Sequence, residues 1–472
     1  MPAHKTQLRV YYIISRLAAA SLVLLCSHIL PPFDTSHLRS QSPSQTPFGL
    51  SSALLRWDSF HFSSIALHGY TQEQQFAFLP GVPFITRLFA EIGLYLASLM
   101  GLSNRGFTDE RDVLLGGAAA AFLLCDWTSD MYDLTMAITR NPSTAFLATS
   151  LTLLPLSPPA LLFAGYTDPF FASLSYKGML ACERKQWFKA TACFMIATAF
   201  RANGVMLAGF LIWGIAVDPM IRRFSGTRKV FSLKGLLSRI LFATGLSIAV
   251  ALPFAAHQYY AYAQFCTPSF SDGASSKLRP WCSNWLPLIY PFVQRQYWNV
   301  GFFRYWEMSQ VPNFILAAPV LVLVMSTSIS EIMGFGRSVQ EYQRRTGSWR
   351  SAIQQSMTPN KTEKPTSAEL TRILGRTWST LPHAMHAMVL SSILLFASHV
   401  QIALRLSSSI PYMYWAAAQL LMDDEREEGV HDAGERLAPT KLRRKWGRIW
   451  VFYAVIWGVI SSVLWATFLP PA

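Results

Sequence analysis

The chain runs to 472 residues, of which 51% are hydrophobic and only 14% charged, against roughly 25% charged in soluble domains. Forty lysines and arginines against 26 acidic residues leave a net charge of +14, and aromatic residues reach 14%. This composition excludes an ordinary soluble domain. Because the basic clusters lie beside apolar runs, the surplus reads as the cytosolic flanks of a multi-pass membrane protein, not as a nucleic-acid surface.

In chain order, the first apolar run covers residues 10–30 and is preceded or interrupted by Lys5, Arg9 and Arg16. It ends on Pro31-Pro32 without a small-x-small cleavage pattern, so it reads as a retained anchor with a cytosolic N-terminus. Further runs at 82–102, 141–163, 240–256, 314–330, 384–404 and 449–468 approach the ~20 residues that cross a hydrocarbon core of ~30 Å. The run at 113–125 is short for a crossing and is expected to re-enter or to pair with the next segment. Basic segments at 222–239, 338–376 and 441–448 mark cytosolic loops.

These anchors predict an all-α polytopic protein with nine stretches. Residues 1–30 form the cytosolic end and first membrane helix, and 31–79 a large first lumenal loop. Residues 80–256 form a membrane bundle, 257–310 a second lumenal loop and 311–330 a membrane helix. A cytosolic polar loop at 331–383, a membrane hairpin at 384–422, a cytosolic loop at 423–448 and a last membrane helix at 449–472 complete the chain.

The first loop carries the most informative residue. Its beginning, 40–47, reads as coil. From 51 to 68 the apolar residues Leu54, Leu55, Phe62, Ile65 and Ala66 fall at helical spacing, which predicts an amphipathic helix lying on the membrane. Asp58 stands in that helix, within Arg56-Trp57-Asp58-Ser59-Phe60-His61. A carboxylate there is placed to act as a base at the water–lipid boundary. Counting crossings through the basic anchors brings Tyr166 and Asp168, and Arg201 and Asn203, to the same face. The second lumenal loop holds Cys266 and Cys282, which in an oxidising compartment form a disulfide.

Nucleotide-sugar machinery is missing from the sequence. It has no Asp-x-Asp pair, no glycine-rich phosphate loop and no Cys/His cluster, and His257, His383 and His386 lack partner ligands at zinc spacing. No metal and no cofactor is therefore expected. Transfer from a lipid-phosphate sugar needs a base for the acceptor hydroxyl and cations for the departing phosphate. Asp58 supplies the first; Arg201, Arg304 and Arg405 are candidates for the second, because a guanidinium can hold phosphate bidentately. Each has a plainer alternative. A lone arginine near a helix end snorkels to the interface, the aromatic stretch 297–306 can be an interfacial belt, and Asp168 can simply cap the helix beginning near Pro169.

The motif Arg56-Trp57-Asp58-x-x-His61-Phe62-x-x-Ile65-Ala66-x-x-Gly69-Tyr70, followed by Phe76-Ala77-Phe78-x-Pro80-Gly81-x-Pro83, resembles the first lumenal loop of the phosphatidylinositol-glycan class V family. These are the GPI mannosyltransferase II enzymes, polytopic proteins of the endoplasmic reticulum with the GT-C fold. The resemblance continues through 158–171, Ala199-Phe200-Arg201-Ala202-Asn203-Gly204 and Gln264-Phe265-Cys266. It is most specific at Pro280-Trp281-Cys282-x-x-x-Leu286-Pro287-x-Ile289-Tyr290 and Tyr297-Trp298-Asn299-Val300-Gly301-x-x-Arg304-Tyr305-Trp306. Val400-Gln401 and Pro411-x-x-Tyr414-Trp415 close it. Ala202 stands where the family pattern has Ser, and Gly165 and Asp168 where it has Pro and Glu, which loosens the roles within that cluster.

The resemblance implies transfer of a second, α1,6-linked mannose from dolichyl-phosphate mannose to a GPI precursor by inverting single displacement. It implies Asp58 as the catalytic base. Substrate binding then falls to Arg56, Trp57, His61, Tyr166, Asp168 and Arg201, together with Asn203, Trp298, Asn299, Arg304 and Arg405. The expected partners are dolichyl-phosphate mannose, the GPI precursor glycolipid and the endoplasmic-reticulum membrane, with room for a small accessory membrane subunit and no nucleic acid. Two other classes compete: another dolichyl-phosphate-sugar transferase of the same fold, and a lipid or sugar transporter, which would show two related halves.

The polar segment also carries the sequon Asn360-Lys361-Thr362. Placed in the cytosol by its basic surplus, Asn360 is expected to carry no glycan. Endoglycosidase treatment should leave the protein's gel mobility unchanged, and a shift abolished by Asn360→Gln would invert the topology.

Overall fold

The computed structural model describes residues 2–33, 50–102, 105–106, 108–224, 233–267, 279–346, 377–422 and 440–469. Segment 40–47, Asn360 and most of the basic segment 338–376 lie outside the described residues. The regular structure among the described residues is helical, and eight helical stretches are long and apolar enough to cross a membrane.

The chain opens with α1 (Pro2–Ile29). Its N-terminal charges are paired, Lys5 with Asp133 at 2.6 Å and Arg9 with Asp126 at 3.3 Å. Arg16 does not belong with them as a flanking charge. It is buried in mid-helix, stacks 4.3 Å from the Tyr12 ring and donates to the carbonyls of Leu162 and Cys125. An intramembrane cation needs such acceptors, and two breaks in neighbouring helices supply them.

The expected amphipathic helix 51–68 is two helices, α2 (Leu50–Leu54) and α3 (Asp58–His68). They part at Trp57, whose φ of 49° lies in the left-handed region, an unfavourable place for a bulky side chain. Asp58 consequently becomes the first residue of α3, where the helix dipole favours a negative charge. A 3₁₀ turn (Glu73–Ala77) leads into α4 (Gly81–Leu99) and α5 (Glu110–Leu124). The run at 113–125 therefore pairs backward against α4, and α6 (Thr128–Thr139) follows after a break at Cys125.

The run 141–163, expected to cross in one piece, does not. Asn141 caps α7 (Pro142–Leu151) by accepting from the backbone of Ser143 and Thr144. Ten residues reach only ~15 Å at 1.5 Å each. Pro155, Pro158 and Pro159 then remove backbone donors and stop the helix, leaving one π-turn at Pro159–Phe163. The next helices, α8 (Thr167–Glu183) and α9 (Trp187–Phe200), pack as a pair. A 3₁₀ turn at Ala202–Leu207, α10 (Ala208–Ile212), a second π-turn at Trp213–Val217 and α11 (Asp218–Phe224) make a further apolar stretch.

Helix α12 (Leu233–Phe265) runs past 257, where the second loop was expected to begin, and ends beside Cys266. Cys266 and Cys282 are joined, with Cα atoms 5.6 Å apart. The short helix α13 (Ile289–Trp298) follows, and α14 (Val311–Thr346) continues well beyond 330, so the start of the expected polar loop is helical. The run 384–404 is also divided, into α15 (Thr377–Phe396) and α16 (Ile402–Leu406), before α17 (Pro411–Leu421) and α18 (Thr440–Ala466).

Buried tryptophans and tyrosines tie these interrupted helices together. Trp127 donates to Thr152, Trp415 to Thr135, and Tyr176 to the carbonyl of Ser408. Each places a polar tip on a partner while the ring fills the core. The first loop is clamped separately. Glu73, 7% exposed, accepts from Trp281 at 2.9 Å and pairs with Arg279 at 3.2 Å, while His257 meets the Phe76 carbonyl at 3.2 Å.

Helices α4 and α5 meet at Gly116, where a Cβ would stand 2.6 Å from the Ala90 nitrogen and 2.7 Å from the Thr86 carbonyl. Gly116→Ala should force the two backbones apart and destabilise by about 1–3 kcal/mol, as overpacking does. A thermal midpoint in detergent equal to wild type would contradict that contact.

Candidate active site

Four charged side chains, drawn from four separate segments, form one continuous chain of ion pairs. Arg405 Nη1 donates to Asp58 Oδ2 at 2.9 Å and Arg405 Nη2 to Asp168 Oδ2 at 3.0 Å. Asp168 Oδ1 accepts from Arg201 Nη1 at 2.9 Å, and the same nitrogen reaches Thr167 Oγ1 at 2.8 Å. The Tyr166 ring lies 5.2 Å from the Arg405 guanidinium.

Each member arrives through a break in regular structure. Asp58 begins α3 after the Trp57 turn, and Asp168 lies in the first turn of α8 after the π-turn. Arg201 follows the last residue of α9 in extended backbone, and Arg405 sits in the five-residue α16. Continuous helices would have carried these side chains past one another.

Burial and charge act against each other here. Burial opposes ionisation of Asp168, but the guanidiniums of Arg405 and Arg201 outweigh it and hold the carboxyl below its usual range. Burial also disfavours the Arg405 cation, and Asp168 and Asp58 together overcome it and hold the guanidinium protonated. For Arg201, burial is the larger effect and lowers its pKa, with Asp168 opposing. Two carboxylates facing two guanidiniums leave the group formally neutral.

Three members of this chain of ion pairs, Asp58, Arg201 and Arg405, line a cavity of about 740 Å³, and Asp168 is not among its lining residues; the volume is within the usual range of ligand sites. Asp58, Arg201 and Arg405 occupy one part of its wall with Tyr166 and Asn203. Leu390, Ile393, Leu394, Ala397, Ile402 and Leu406 give the cavity an apolar side. The Asn203 Nδ2 and Gln401 Oε1 atoms are buried there without a protein hydrogen-bond partner. Trp57 and Trp298 also line the cavity.

Other sequence candidates lie elsewhere. Arg56 is 4% exposed, and its guanidinium donates to the carbonyls of Ser52, Leu55, Trp465 and Ala466. It also packs 3.7 Å from the Phe468 ring. Burial lowers its pKa to about 10, still a cation at neutral pH. The sequence reading as a substrate ligand gives way to a structural one, because carbonyls already occupy its donors. Arg304 reaches only Asn299 Oδ1, at 3.3 Å on the surface, and neither residue lines the cavity. His61 stacks on Phe78 at 4.7 Å and faces a smaller chamber on the other side of Asp58.

Sequence reasoning missed Thr167 and His399 as cavity residues and noted Phe78 and Tyr290 only within the family pattern; all four line it. Gln401 was noticed only as part of the family pattern. A polar residue beside a charged one, as Thr167 stands beside Asp168, was the available signal. Among the described residues, no group of three or more His, Cys, Asp and Glu side chains is gathered as a metal site.

Three comparisons bear on this arrangement. A family model described as Mannosyltransferase (PIG-V) matches residues 5–472. GPI mannosyltransferase 2 of Cryptococcus neoformans is 34% identical over 97% of this chain and 96% of its own length. GPI alpha-1,6-mannosyltransferase 2 of Homo sapiens is 32% identical over 90% of this chain and 85% of its own. The crystal structure of the Archaeoglobus fulgidus oligosaccharyltransferase in the apo form aligns over 96% of this chain and 56% of its own, at 12% identity and a TM-score of 0.39. A likeness that slight carries no weight here.

If Asp168 neutralises both arginines, Asp168→Asn should lower stability by about 3–5 kcal/mol, the usual cost of breaking a buried pair, and should lower activity. Asp168→Glu keeps the charge and should retain most of both. The depressed Asp168 pKa contributes stability that is complete above the unfolded value of ~3.9 and is lost as pH falls toward the folded value. Thermal midpoints across pH 3–7 should therefore show an acid limb in wild type that is weaker in Asp168→Asn.

Proposed function

This chain belongs to the mannosyltransferase (PIG-V) family, and we propose that it adds the second, α1,6-linked mannose of a GPI precursor, taking the sugar from dolichyl-phosphate mannose. The observation that carries the mechanism is the placement of Asp58 and two arginines around one cavity that is also lined by a set of apolar side chains. A lipid-phosphate sugar combines those needs: cations for its phosphate, an apolar surface for its isoprenoid chain and a base for the incoming hydroxyl.

The donor is a phosphodiester with one negative charge, and the departing dolichyl phosphate carries a second. Arg405 and Arg201 meet that growing charge, with Asp168 fixing both guanidiniums in advance. Preorganised cations of this kind contribute most when charge develops in a water-poor site. Once the phosphate takes a share of the Arg405 fork, Asp58 Oδ2 is released from its hydrogen bond and can accept the hydroxyl proton of the acceptor. The acceptor oxygen bonds to C1 as the bond from C1 to the phosphate oxygen breaks. Asp58 ends protonated, and a β-linked donor gives an α-linked product in one displacement. Asn203 and Gln401, whose buried polar atoms lack protein partners, are suited to the sugar hydroxyls.

We place the reaction at the lumenal face of the endoplasmic-reticulum membrane. The warrants are the basic anchors of the sequence and the Cys266–Cys282 bond, which suits an oxidising compartment. An accessory membrane subunit is compatible with the exposed aromatic segment at Trp285, Phe302 and Trp306.

Asp58→Asn should preserve folding and lower transfer by about 10²–10⁴-fold, the usual contribution of a general base. The measurement is transfer from dolichyl-phosphate mannose by purified protein. Activity within a few-fold of wild type would remove Asp58 as the base.

A further inference from the structure

Asp58 stands on a partition. On one side is the cavity lined by arginines; on the other lies a chamber of about 320 Å³, walled by Trp57, Phe60, His61, Phe78, Trp298 and Phe468. Asp58, Trp57, Phe78 and Trp298 line both spaces. The two chambers differ in chemistry. Among the described residues no lysine or arginine lines the smaller one, and Asp58 and His61 are its ionisable side chains.

We propose that this smaller chamber is the acceptor-sugar subsite, holding the uncharged terminal pyranose of the glycolipid with its hydroxymethyl group turned toward Asp58. The inference rests on the function proposed above and adds to it where the acceptor binds.

A phosphate finds no cation among the described residues that line this chamber, whereas a pyranose finds what it needs. The slightly positive C–H faces of a sugar ring pack against the negative faces of aromatic rings, and its hydroxyls find Asp58 and His61. Burial lowers the His61 pKa, with Asp58 opposing, so the imidazole is neutral at neutral pH and offers one donor and one acceptor. The size suits a single sugar residue, at the lower end of the roughly 300–1,000 Å³ seen for small-molecule sites.

The walls are held from outside. Phe78 meets Phe62 edge-on at 5.4 Å and Trp298 at 6.0 Å. Phe468 packs against the Arg56 guanidinium, which is itself anchored to the carbonyls of Trp465 and Ala466. Such support fixes a binding surface in advance and lowers the ordering cost of binding. The buried arginine thus acts on the reaction by positioning a wall of the chamber.

The partition also bears on linkage. An oxygen at C6 projects one carbon beyond the ring, so the ring can stay stacked in the aromatic chamber while that oxygen reaches Asp58. A secondary hydroxyl is attached to the ring itself and would draw the ring out of the stack.

Phe60 and His61 are both only partly buried, so Phe60→Leu and His61→Gln can be made without opening the core, with Phe60→Tyr as a variant that keeps the ring. Full-length protein is assayed with dolichyl-phosphate mannose and a synthetic GPI precursor bearing one mannose. The acceptor KM should rise about tenfold in Phe60→Leu and His61→Gln while the donor KM stays within about twofold, and Phe60→Tyr should resemble wild type. Binding is followed independently of turnover, by the change in tryptophan fluorescence on titrating the mannosylated precursor alone. A donor KM that rises with the acceptor KM unchanged would assign the chamber to the donor. Unchanged acceptor affinity in both variants would overturn the subsite. Precursor binding that is intact in wild type and weakened in the variants, without any transfer, would instead sink the proposed function and leave the subsite standing.

Discussion

The carboxylate of Asp168, shared between Arg405 and Arg201, is the contact on which the rest of the site depends. Two guanidiniums placed side by side in a water-poor cavity repel one another, and each loses hydration. A single buried carboxylate between them relieves both costs, and it fixes the planes of the two forks without closing the cavity. Asp58 then completes the compensation from the opposite side of Arg405. The two carboxylates are unequal. Asp168 is 3% exposed and holds both cations, so its role is to maintain the charge pattern. Asp58 is more exposed, with 31% of its side chain accessible, and holds only one, so in the proposed mechanism it is the carboxylate that an incoming phosphate would release.

Building this group required breaking helices, and the breaks have identifiable causes. Prolines end the apolar run after α7, Trp57 takes a positive φ before α3, and the chain leaves regular helix between Phe396 and Ile402. Irregular backbone at membrane depth is tolerated only where protein supplies partners. Arg16 does so for the carbonyls of Cys125 and Leu162, and Arg56 does so for the end of α18. Two buried cations thus stabilise the interruptions that allow two others to line the cavity.

That contrast explains what could and could not be read from sequence. Asp58, Asp168, Arg201 and Arg405 were each recognisable as costly charges in an apolar chain, and the family motif added weight to Asp58 and Arg201 but not to Asp168, which stands where the pattern has Glu. Their pairing was not legible: Arg405 and Asp58 are 347 positions apart, and local pattern says nothing about contacts at that distance. Arg56 was misread for a related reason. In sequence it sits two residues from the candidate base, but only the fold shows that it meets carbonyls of the last helix. The apolar runs coincide with six of the eight helical stretches that, among the described residues, are long and apolar enough to cross a membrane. They did not reveal that 141–163 and 384–404 are interrupted: prolines stop the first, but the second holds no proline and breaks at 397–401, where the sequence offers no strong helix breaker.

The same reasoning links the two chambers. A transferase of this kind must keep its donor's anionic phosphate near cations and its uncharged acceptor away from them, yet bring both to one carboxylate. A single open cavity would expose Asp58 to water and to donor hydrolysis. Aromatic side chains line the smaller chamber beside the carboxylate, and the ion pair with Arg405 orders the carboxylate toward the larger cavity. Asp58 is held at the start of α3, between Trp57 and the Ser59 hydroxyl that bonds back to the Arg56 and Leu54 carbonyls. Its backbone therefore moves little as its partner changes. In the mechanism proposed above, release from Arg405 requires only a side-chain rotation, and that small displacement would join arrival of the phosphate to activation of the base.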